Sequence, residues 1–436
     1  MVEVIGNNFA ALVCCSELVR NGISVQHVSN SDLRLGGHFS GLRFREKLID
    51  LGMVLLEPRF ERRETDIAMY EGQFGQQVNQ FNHAVFGWLS SRAVSLNQID
   101  VCSFFQNKLI GDAIIADNLS FLDLLPTFER EVIIQEITVR NQTSKSHPRD
   151  KAISVQYREK NLRDIYYEIY GPTFSKYLLG NLELLAGLDG EKVVAQFHRL
   201  LWAPLYYPEN ILNYLVSGDS GLKELDFFTP AGGSVSQLIE DLLEELRMSL
   251  LYDLQTVPEA KYSKIIEDVL RKESSEVMVF ADERELHTEH LNSLRADVGF
   301  VISEVATDIE LVVHNLDTNC QWYRATVRGQ DLGVVVVELG KISLDEPDAS
   351  LLLRASQCLQ SIGVDALNEP MVLRSKVNIF SPQTSSVFQE RHLKVQKLLN
   401  GNPDCYLTNE TTGSFNNQVC LGLKSSQRIL RRPKNE

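Results

Sequence analysis

The chain has 436 residues, of which 44% are apolar and 23% charged, and its formal net charge is −15 at pH 7. This length and composition predict a globular protein with a large core and two intertwined domains. The acidic balance argues against a nucleic-acid-binding protein, because such proteins present a basic face. No run of about 18 apolar residues occurs, so no membrane span is expected.

The cysteines and the N-terminus bear on the compartment. Seven cysteines without a C-x-x-C pair predict neither a disulfide framework nor a structural zinc site. The first residues show no targeting pattern. The predicted setting is therefore reduced and cytoplasmic.

Residues 1–59 predict a strand, a tight turn, a helix and a second strand. The apolar run 2–5 is typical of a strand, and a helical period continues to Arg20. Asn21-Gly22 ends that helix, as glycine commonly does just beyond a helix C-terminus. Residues 23–28 alternate like a strand. This is the order of a βαβ dinucleotide-binding unit.

The glycine pattern of that unit is altered. In G-x-G-x-x-G the three glycines make the turn, admit the pyrophosphate and let helix and strand pack closely. Gly6, Asn8 and Ala11 stand at these positions, and the Asn8 side chain points into the pyrophosphate space. Ser29 and Asn30 stand where an acid normally accepts the ribose hydroxyls. The alternative is a purely structural strand–turn–helix unit.

The next segment carries a family resemblance. Gly36, Gly37 and His38 follow the second strand, and a D-L-G-like stretch begins at Asp50. Together they resemble the amine-oxidase-like flavoprotein superfamily, which includes amine oxidases and UDP-galactopyranose mutase. In that family the glycine pair wraps the flavin end of FAD. The resemblance therefore implies FAD as the cofactor, with contacts from Gly36, Gly37 and His38.

Residues 60–216 give a prediction of a substrate site. Residues 101–105 and 107–112 predict a strand pair, and residues 160–216 are mainly helical in pattern. The stretch 198–208 is rich in aromatics beside a cation, and we take its residues as candidate substrate ligands: Arg199, Trp202, Tyr206 and Tyr207. An arginine can pair an anionic group and the aromatics can stack. The alternative is a core-facing aromatic cluster.

Two later segments bear on the family resemblance and on metal binding. Pro230 to Ser234 reads P-A-G-G-S and is similar to the family's P-x-G-G-M step before a helix. Residues 235–246 place leucines at core spacing, as that helix requires. His287 and His290 form an i, i+3 pair without a further placed carboxylate. No metal site is predicted.

The closing segment, residues 405–426, resembles the family's final motif. That motif is a strand, a G-D pair, a glycine-containing loop and a helix of the type S-x-N-x-A-x-x-S-G. Asn409-Glu410 stands for the G-D pair, and Gly413 and Asn416 fall at the loop glycine and the helix asparagine. The resemblance implies that Glu410 contacts FAD. The helix N-terminus would stabilise negative charge on a reduced flavin.

The resemblance implies an α/β fold, namely a Rossmann-like FAD-binding domain with an interleaved mixed α+β substrate domain. The predicted ranges are 1–59 for the first part of the FAD-binding domain, 60–216 for the substrate or cap domain, 217–260 for the return to the FAD-binding domain, 261–400 for the second part of the substrate domain and 401–436 for the closing FAD-binding segment.

Two functions follow from these observations. The first is an FAD-dependent oxidoreductase that acts on a small molecule by amine-oxidase-like or mutase-like flavin chemistry. The second is a non-catalytic scaffold or binding subunit, a pseudoenzyme in which FAD binding is weakened or lost. Asn8, Ser29, Asn30 and Asn409 favour the second, and Glu410 favours the first. The substrate, the catalytic residues and the oligomeric state are left open.

Overall fold

A computed structural model describes residues 1–52, 55–56, 84–116, 118–143, 160–194, 208–221, 226–271, 277–282, 294–365, 368–379, 405–408 and 415–431. The strands are β1 (Val2–Ile5), β2 (Val25–Asn30), β3 (Leu42–Phe44), β4 (Lys47–Ile49), β5 (Leu96–Phe105), β6 (Lys108–Gly111), β7 (Phe227–Pro230), β8 (Tyr252–Val257), β9 (Val277–Asp282), β10 (Leu294–Glu304), β11 (Glu310–Asn315), β12 (Arg324–Arg328), β13 (Val334–Leu339), β14 (Asn368–Ile379) and β15 (Cys405–Thr408).

The helices are distributed along the chain, with four of them consecutive between β6 and β7. They are α1 (Phe9–Arg20), α2 (Thr127–Thr143), α3 (Leu162–Tyr170), α4 (Pro172–Ala186), α5 (Pro208–Ser217), α6 (Val235–Arg247), α7 (Glu259–Arg271), α8 (Asp348–Ser361) and α9 (Phe415–Leu430). Residues 84–91 are also helical. Among the described helices, none combines the length and the hydropathy that crossing a membrane requires.

The first sheet contains the βαβ unit. Its strands lie in the order β15–β9–β1–β2–β8, and each neighbouring pair is parallel. One face packs on α1, α6 and α9 through an apolar core. The other face packs on α7 through Tyr262 and Ile266. Helices cover both faces, as in Rossmann-like sheets, and the central strand β9 is apolar on both sides from Val277 to Phe280.

The second sheet is formed by strands from the middle of the sequence. Its strands follow the order β14–β10–β13–β12–β11–β5–β6, and β7 pairs with β5. Alternate residues of β13 point to opposite faces, as in any strand. Val335 and Val337 contact α8, whereas Val334 and Val336 contact the β3–β4 hairpin. Farther along that second face, α2 to α5 pack through a larger apolar core.

This architecture confirms the predicted α/β fold class and the opening βαβ unit. The predicted strand pair at 101–112 forms the antiparallel β5–β6 hairpin. The two-residue turn, Gln106 and Asn107, has φ of 50° and 59°, as tight hairpin turns require. The boundaries of the domains stay a prediction.

A buried carboxylate joins two strands of the second sheet to the loop that follows β6. Asp112 accepts hydrogen bonds from the Ser103 hydroxyl and from His314 Nδ1, both at 2.9 Å. Its other oxygen accepts three backbone N–H groups from residues 114–116. Burial alone would raise the pKa of Asp112, but His314 and these donors outweigh it and hold that pKa below its usual range.

Replacing this carboxylate should be costly. We expect Asp112→Asn to lower the free energy of unfolding by about 3 kcal/mol, because it removes one partner of a buried pair. Ser103→Ala, which removes a single hydroxyl from the same cluster, should lower it by about 1 kcal/mol. Denaturant unfolding measures both values. Equal losses for the two variants would contradict the central role of the carboxylate.

Candidate functional site

The turn between β1 and α1 is closed by its own side chains. A Cβ at Gly6 would lie 2.6 Å from the Phe280 carbonyl oxygen, so the neighbouring strand β9 requires glycine there. Asn8 is the N-cap of α1, and its Oδ1 accepts the Ala11 N–H at 3.0 Å. Its Nδ2 donates to the Phe280 carbonyl at 2.9 Å. Asn8 therefore ties the turn to both α1 and β9.

The end of β2 is also bonded within the protein. Asn7 Oδ1 accepts the Asn30 N–H, and Asn7 Nδ2 donates to the Asn30 carbonyl. The Asn30 side-chain oxygen accepts the Asp32 N–H at 2.9 Å. Ser29 is buried, and its hydroxyl finds no hydrogen-bond partner among the described residues. The amide of Asn30 is thus engaged in its own turn, where the family would have an acid for the ribose.

The glycine pair lies directly against this turn. Gly36 donates its N–H to the Asn7 carbonyl at 2.7 Å. A Cβ at Gly36, whose φ is +89°, would lie 2.8 Å from the side chain of Ile239 on α6. A Cβ at Gly37 would be 3.6 Å from the Asn8 Cα. His38 is exposed, and its ring stacks on Phe39 at 3.9 Å between centroids.

Helix α9 crosses α1 at very short range. A Cβ at Gly422 would lie 2.6 Å from the Ala10 carbonyl and 2.7 Å from the Val13 Cβ, so glycine permits the contact. One turn earlier on α9, the buried Gln418 reaches the N-terminus of α1. Its Oε1 accepts the Ala10 N–H at 3.0 Å. Because Asn8 also accepts the Ala11 N–H, two of the first N–H groups of α1 are bonded to protein side chains.

Four aromatic rings fill the space beside these contacts. The Phe9 ring lies 5.1 Å from Phe415, 6.0 Å from Phe39 and 6.0 Å from Trp88. Phe39 and Phe415 also meet edge to face at 5.9 Å. Phe9 begins α1, Phe415 begins α9 and Phe39 follows the glycine pair. The segments that surround the flavin dinucleotide in the resembled family therefore contact one another here through apolar rings.

A buried histidine is hydrogen-bonded to the turn between β1 and α1. His27 lies on β2, fully buried, and its Nε2 is 2.7 Å from the Gly6 carbonyl. A carbonyl only accepts, so Nε2 carries the proton and Nδ1 accepts the Tyr252 hydroxyl at 2.7 Å. Burial lowers the pKa of His27 to about 4, although the bond to Gly6 opposes that change. The ring is therefore neutral at pH 7.

FAD can be tested against this arrangement. A pyrophosphate binds at a helix N-terminus through free backbone N–H groups and the positive end of the helix dipole. Here Asn8 and Gln418 take the N–H groups of Ala11 and Ala10, and Asn8 occupies the position that glycine must hold for close approach. As arranged, these residues do not fit the pyrophosphate of a dinucleotide.

The D-L-G-like stretch, which begins at Asp50, contacts the start of α6. The Asp50 carboxylate accepts the Val235 N–H and the Ser236 N–H, both at 2.9 Å, and the Ser236 hydroxyl at 2.5 Å. Burial raises the pKa of Asp50, and these bonds oppose the rise. Asp50 thus closes the N-terminus of α6, the helix that follows the P-A-G-G step, from 185 residues away.

The same step is held from the second sheet. Arg328 on β12 donates to the carbonyl oxygens of Pro230 and Gly233. It also pairs with Glu310 at 2.7 Å and Asp331 at 2.8 Å. The P-A-G-G step is therefore anchored to the second sheet, and the helix that follows it is anchored to Asp50, just after β4. Beside it lies a small, partly open pocket whose lining includes Asp50, Thr229 and Arg328.

Several predicted residues lie outside the described part of the chain, and their roles stay predictions. They are Arg199, Trp202, Tyr206, Tyr207, Asn409, Glu410 and Gly413, together with His287 and His290. Asn416 lies in the first turn of α9. Within the described ranges, no three His, Cys, Asp or Glu side chains come together as a metal ion would require.

Sequence reasoning missed Gln418, His27 and Asn7. Gln418 stands where the S-x-N-x-A-x-x-S-G helix has alanine, so a long amide at a small-residue position was an available signal. His27 and Asn7 gave none, because a polar residue in a strand or turn does not disclose its partner. Their roles depend on contacts between segments distant in the chain.

The arrangement of the two sheets is the fold of the FAD-dependent amine oxidase-like flavoenzymes, which confirms the resemblance at the level of fold. The chain is similar to reduced UDP-galactopyranose mutase, with a TM-score of 0.61 and 12% identity over 99% of this chain and 96% of that one. It is also similar to putrescine oxidase bound to putrescine, with a TM-score of 0.52 and 10% identity over 99% of each chain.

A third similar structure is a CLA-producing fatty acid isomerase from P. acnes, with a TM-score of 0.51 and 11% identity over 99% of this chain and 98% of that one. No protein-family model matches the sequence, and no curated protein does. At such low identity these likenesses establish the fold and not the chemistry.

The His27 contact gives a pH dependence. Because the folded pKa is about 4 and the usual value 6.5, the unfolded chain binds more protons between these values, so stability should fall as pH drops from 6.5 to 4. The shift corresponds to about 3 kcal/mol. Denaturant unfolding at stepped pH measures it. The His27→Gln variant should lose this part of the slope, and an unchanged slope would contradict the assignment.

Proposed function

We propose that this chain is a non-catalytic binding or scaffold protein, with the fold of amine-oxidase-like flavoenzymes, that does not hold FAD in the manner its fold implies. One observation carries the proposal. The N-terminus of α1 is occupied by the chain's own groups, since Gln418 Oε1 and Asn8 Oδ1 take the N–H groups of Ala10 and Ala11.

The cost of reopening the site supports this proposal. A pyrophosphate would have to displace two hydrogen bonds, each with a net contribution of about 1 kcal/mol. The amide of Gln418 is 3% exposed, and losing its partner inside the protein adds a desolvation cost of about 1–3 kcal/mol.

A second candidate is an FAD-dependent oxidoreductase acting on a small molecule. The glycines Gly6, Gly36 and Gly37 favour it, because all three keep the backbone conformations that close approach of a cofactor requires. In this candidate, Glu410 would contact the flavin, and Arg199, Trp202, Tyr206 and Tyr207 would line the substrate site. FAD would supply the redox chemistry, and the protein its position and electrostatics.

Cofactor content separates the two candidates. We expect the purified protein to lack flavin absorbance, to release no flavin on denaturation and to keep its melting temperature when FAD is added. A ligand present at 100 times its dissociation constant would stabilise the native state by about 2.7 kcal/mol, which such a scan detects. A yellow protein that releases FAD would establish the oxidoreductase candidate instead.

Variants of Gln418 test the closure of α1 itself. Gln418→Ala should lower the free energy of unfolding by about 1–2 kcal/mol, because it leaves the Ala10 N–H without its partner. Gln418→Glu keeps the acceptor and puts negative charge at the positive end of the helix dipole, so its stability should equal or exceed that of the wild type.

Denaturant unfolding of the wild type, Gln418→Ala and Gln418→Glu at pH 7 measures the order of their stabilities. If Gln418→Glu were as unstable as Gln418→Ala, the side chain would be acting through packing alone. The assignment of Gln418 as the group that occupies the N-terminus of α1, where an anion would otherwise bind, would then be wrong.

A further inference from the structure

One side of α2 is exposed although it carries apolar side chains. Phe128 is 64% exposed, Val132 37% and Val139 58%. On the opposite side of the helix, Ile133 and Ile137 are fully buried in the core that α2 shares with α3, α4 and α5. Single exposed apolar residues are ordinary on a protein surface, but three on one side of one helix form a stripe, and such stripes mark contacts with other chains.

The stripe follows the spacing of a coiled coil. Residues 128, 132, 135 and 139 succeed one another at steps of four, three and four, which is the spacing of the d and a positions of a heptad. Three of the four are apolar, and the fourth, Gln135, is exposed. A single polar residue in such a seam fixes the register of the partner helix. The seam of α2 therefore matches a second helix that lies along it.

The side chains that border this seam are acidic. In the same heptad Glu129 and Glu136 stand at e positions and Glu131 at a g position, and no lysine or arginine of α2 stands at either. Glu131 is exposed and has no salt bridge within the described part of the chain. Because charges at e and g select the partner of a coiled coil, this border favours a partner with basic residues there.

Helix α4 holds the two e-position carboxylates in place. Glu129 accepts the Lys176 ammonium at 3.0 Å and the Tyr177 hydroxyl. Glu136 accepts the Thr173 N–H at 3.0 Å and the Thr173 hydroxyl at 3.1 Å. Lys176 offsets part of the charge of Glu129. The acidic border is thus built into the packing of the two helices, because its carboxylates cannot swing away without losing these bonds.

A second copy of the chain does not suit the seam. In a parallel pair of α2 helices, Glu131 of one copy would face Glu136 of the other. In an antiparallel pair, Glu129 would face Glu136 instead. Either arrangement brings like charges together, which destabilises the contact.

We propose that the seam of α2 docks an amphipathic helix of another protein, one with apolar residues at its a and d positions and lysine or arginine at e and g. Burial of Phe128, Val132 and Val139 supplies the attraction, and the glutamates select the partner. The seam lies on the helices that cover the second sheet. It does not depend on whether α1 accepts FAD, so its test and the flavin test fail independently.

Two matched peptides test the proposal on the full chain. Three repeats of KIAALKE present lysine at both e and g, whereas three repeats of EIAALEK keep the same apolar seam and present glutamate there. We expect saturable binding of the basic peptide in titration calorimetry, with a gain of helical circular dichroism, and at least tenfold weaker binding of the acidic peptide. Added salt should weaken the basic peptide, because it screens the bordering charges.

Matched variants identify the surface. Phe128→Ser and Val139→Ser should each weaken the basic peptide about tenfold, because each removes apolar area from the seam. Their melting temperatures should equal that of the wild type, since both side chains are exposed and serine has a similar helix propensity. Glu131→Lys should narrow the difference between the two peptides. Leu250→Ser replaces a fully exposed apolar residue beyond the end of α6 and should leave binding unchanged.

Four results would overturn the proposal. The first is the absence of saturable binding by the basic peptide, and the second is equal binding of the two peptides. The third is an affinity in Phe128→Ser and Val139→Ser that matches that of Leu250→Ser. The last is a dimer of the wild type that Phe128→Ser dissociates, because a second copy would then be the occupant of the seam.

Discussion

The close crossing of α1 and α9 is the contact on which the candidate cofactor site depends. Gly422 lets the two helices approach until a Cβ would meet the Ala10 carbonyl at 2.6 Å. At that distance the side chain one turn earlier, Gln418, reaches the N-terminus of α1 and accepts the Ala10 N–H. The amide thereby uses a group that the same fold commonly presents to a phosphate, and the aromatic rings beside it fill the remaining space.

Under the proposed function, the fold has been kept in this chain while the chemistry of the cofactor site has changed. The structural likeness extends over nearly the whole length of the mutase and the oxidase to which the chain is similar. Backbone geometry of this kind depends on burial and on glycine positions, which tolerate many substitutions elsewhere. By contrast, whether the N–H groups at the start of α1 are open to a ligand depends on single side chains. Two residues, Asn8 and Gln418, are enough to engage two of these N–H groups within the protein.

Polar groups link the segments that the sheets bring together. Arg328 joins the second sheet to the P-A-G-G step, and Asp50 closes the helix that follows it. Each contact satisfies groups that would otherwise be buried alone, which costs more than the bond itself contributes.

The α/β class, the opening βαβ unit and the β5–β6 hairpin can be predicted from the residue pattern, because apolar period and turn residues are local properties. The same pattern identifies Asn8 as the altered position of the glycine fingerprint. The bonds of Asn8 to Ala11 and Phe280, the reach of Gln418 to Ala10 and the contact of Asp50 with the start of α6 became visible only in the folded chain. These partners lie up to 408 residues apart, and no local pattern encodes a hydrogen bond between segments that meet only after the chain has folded.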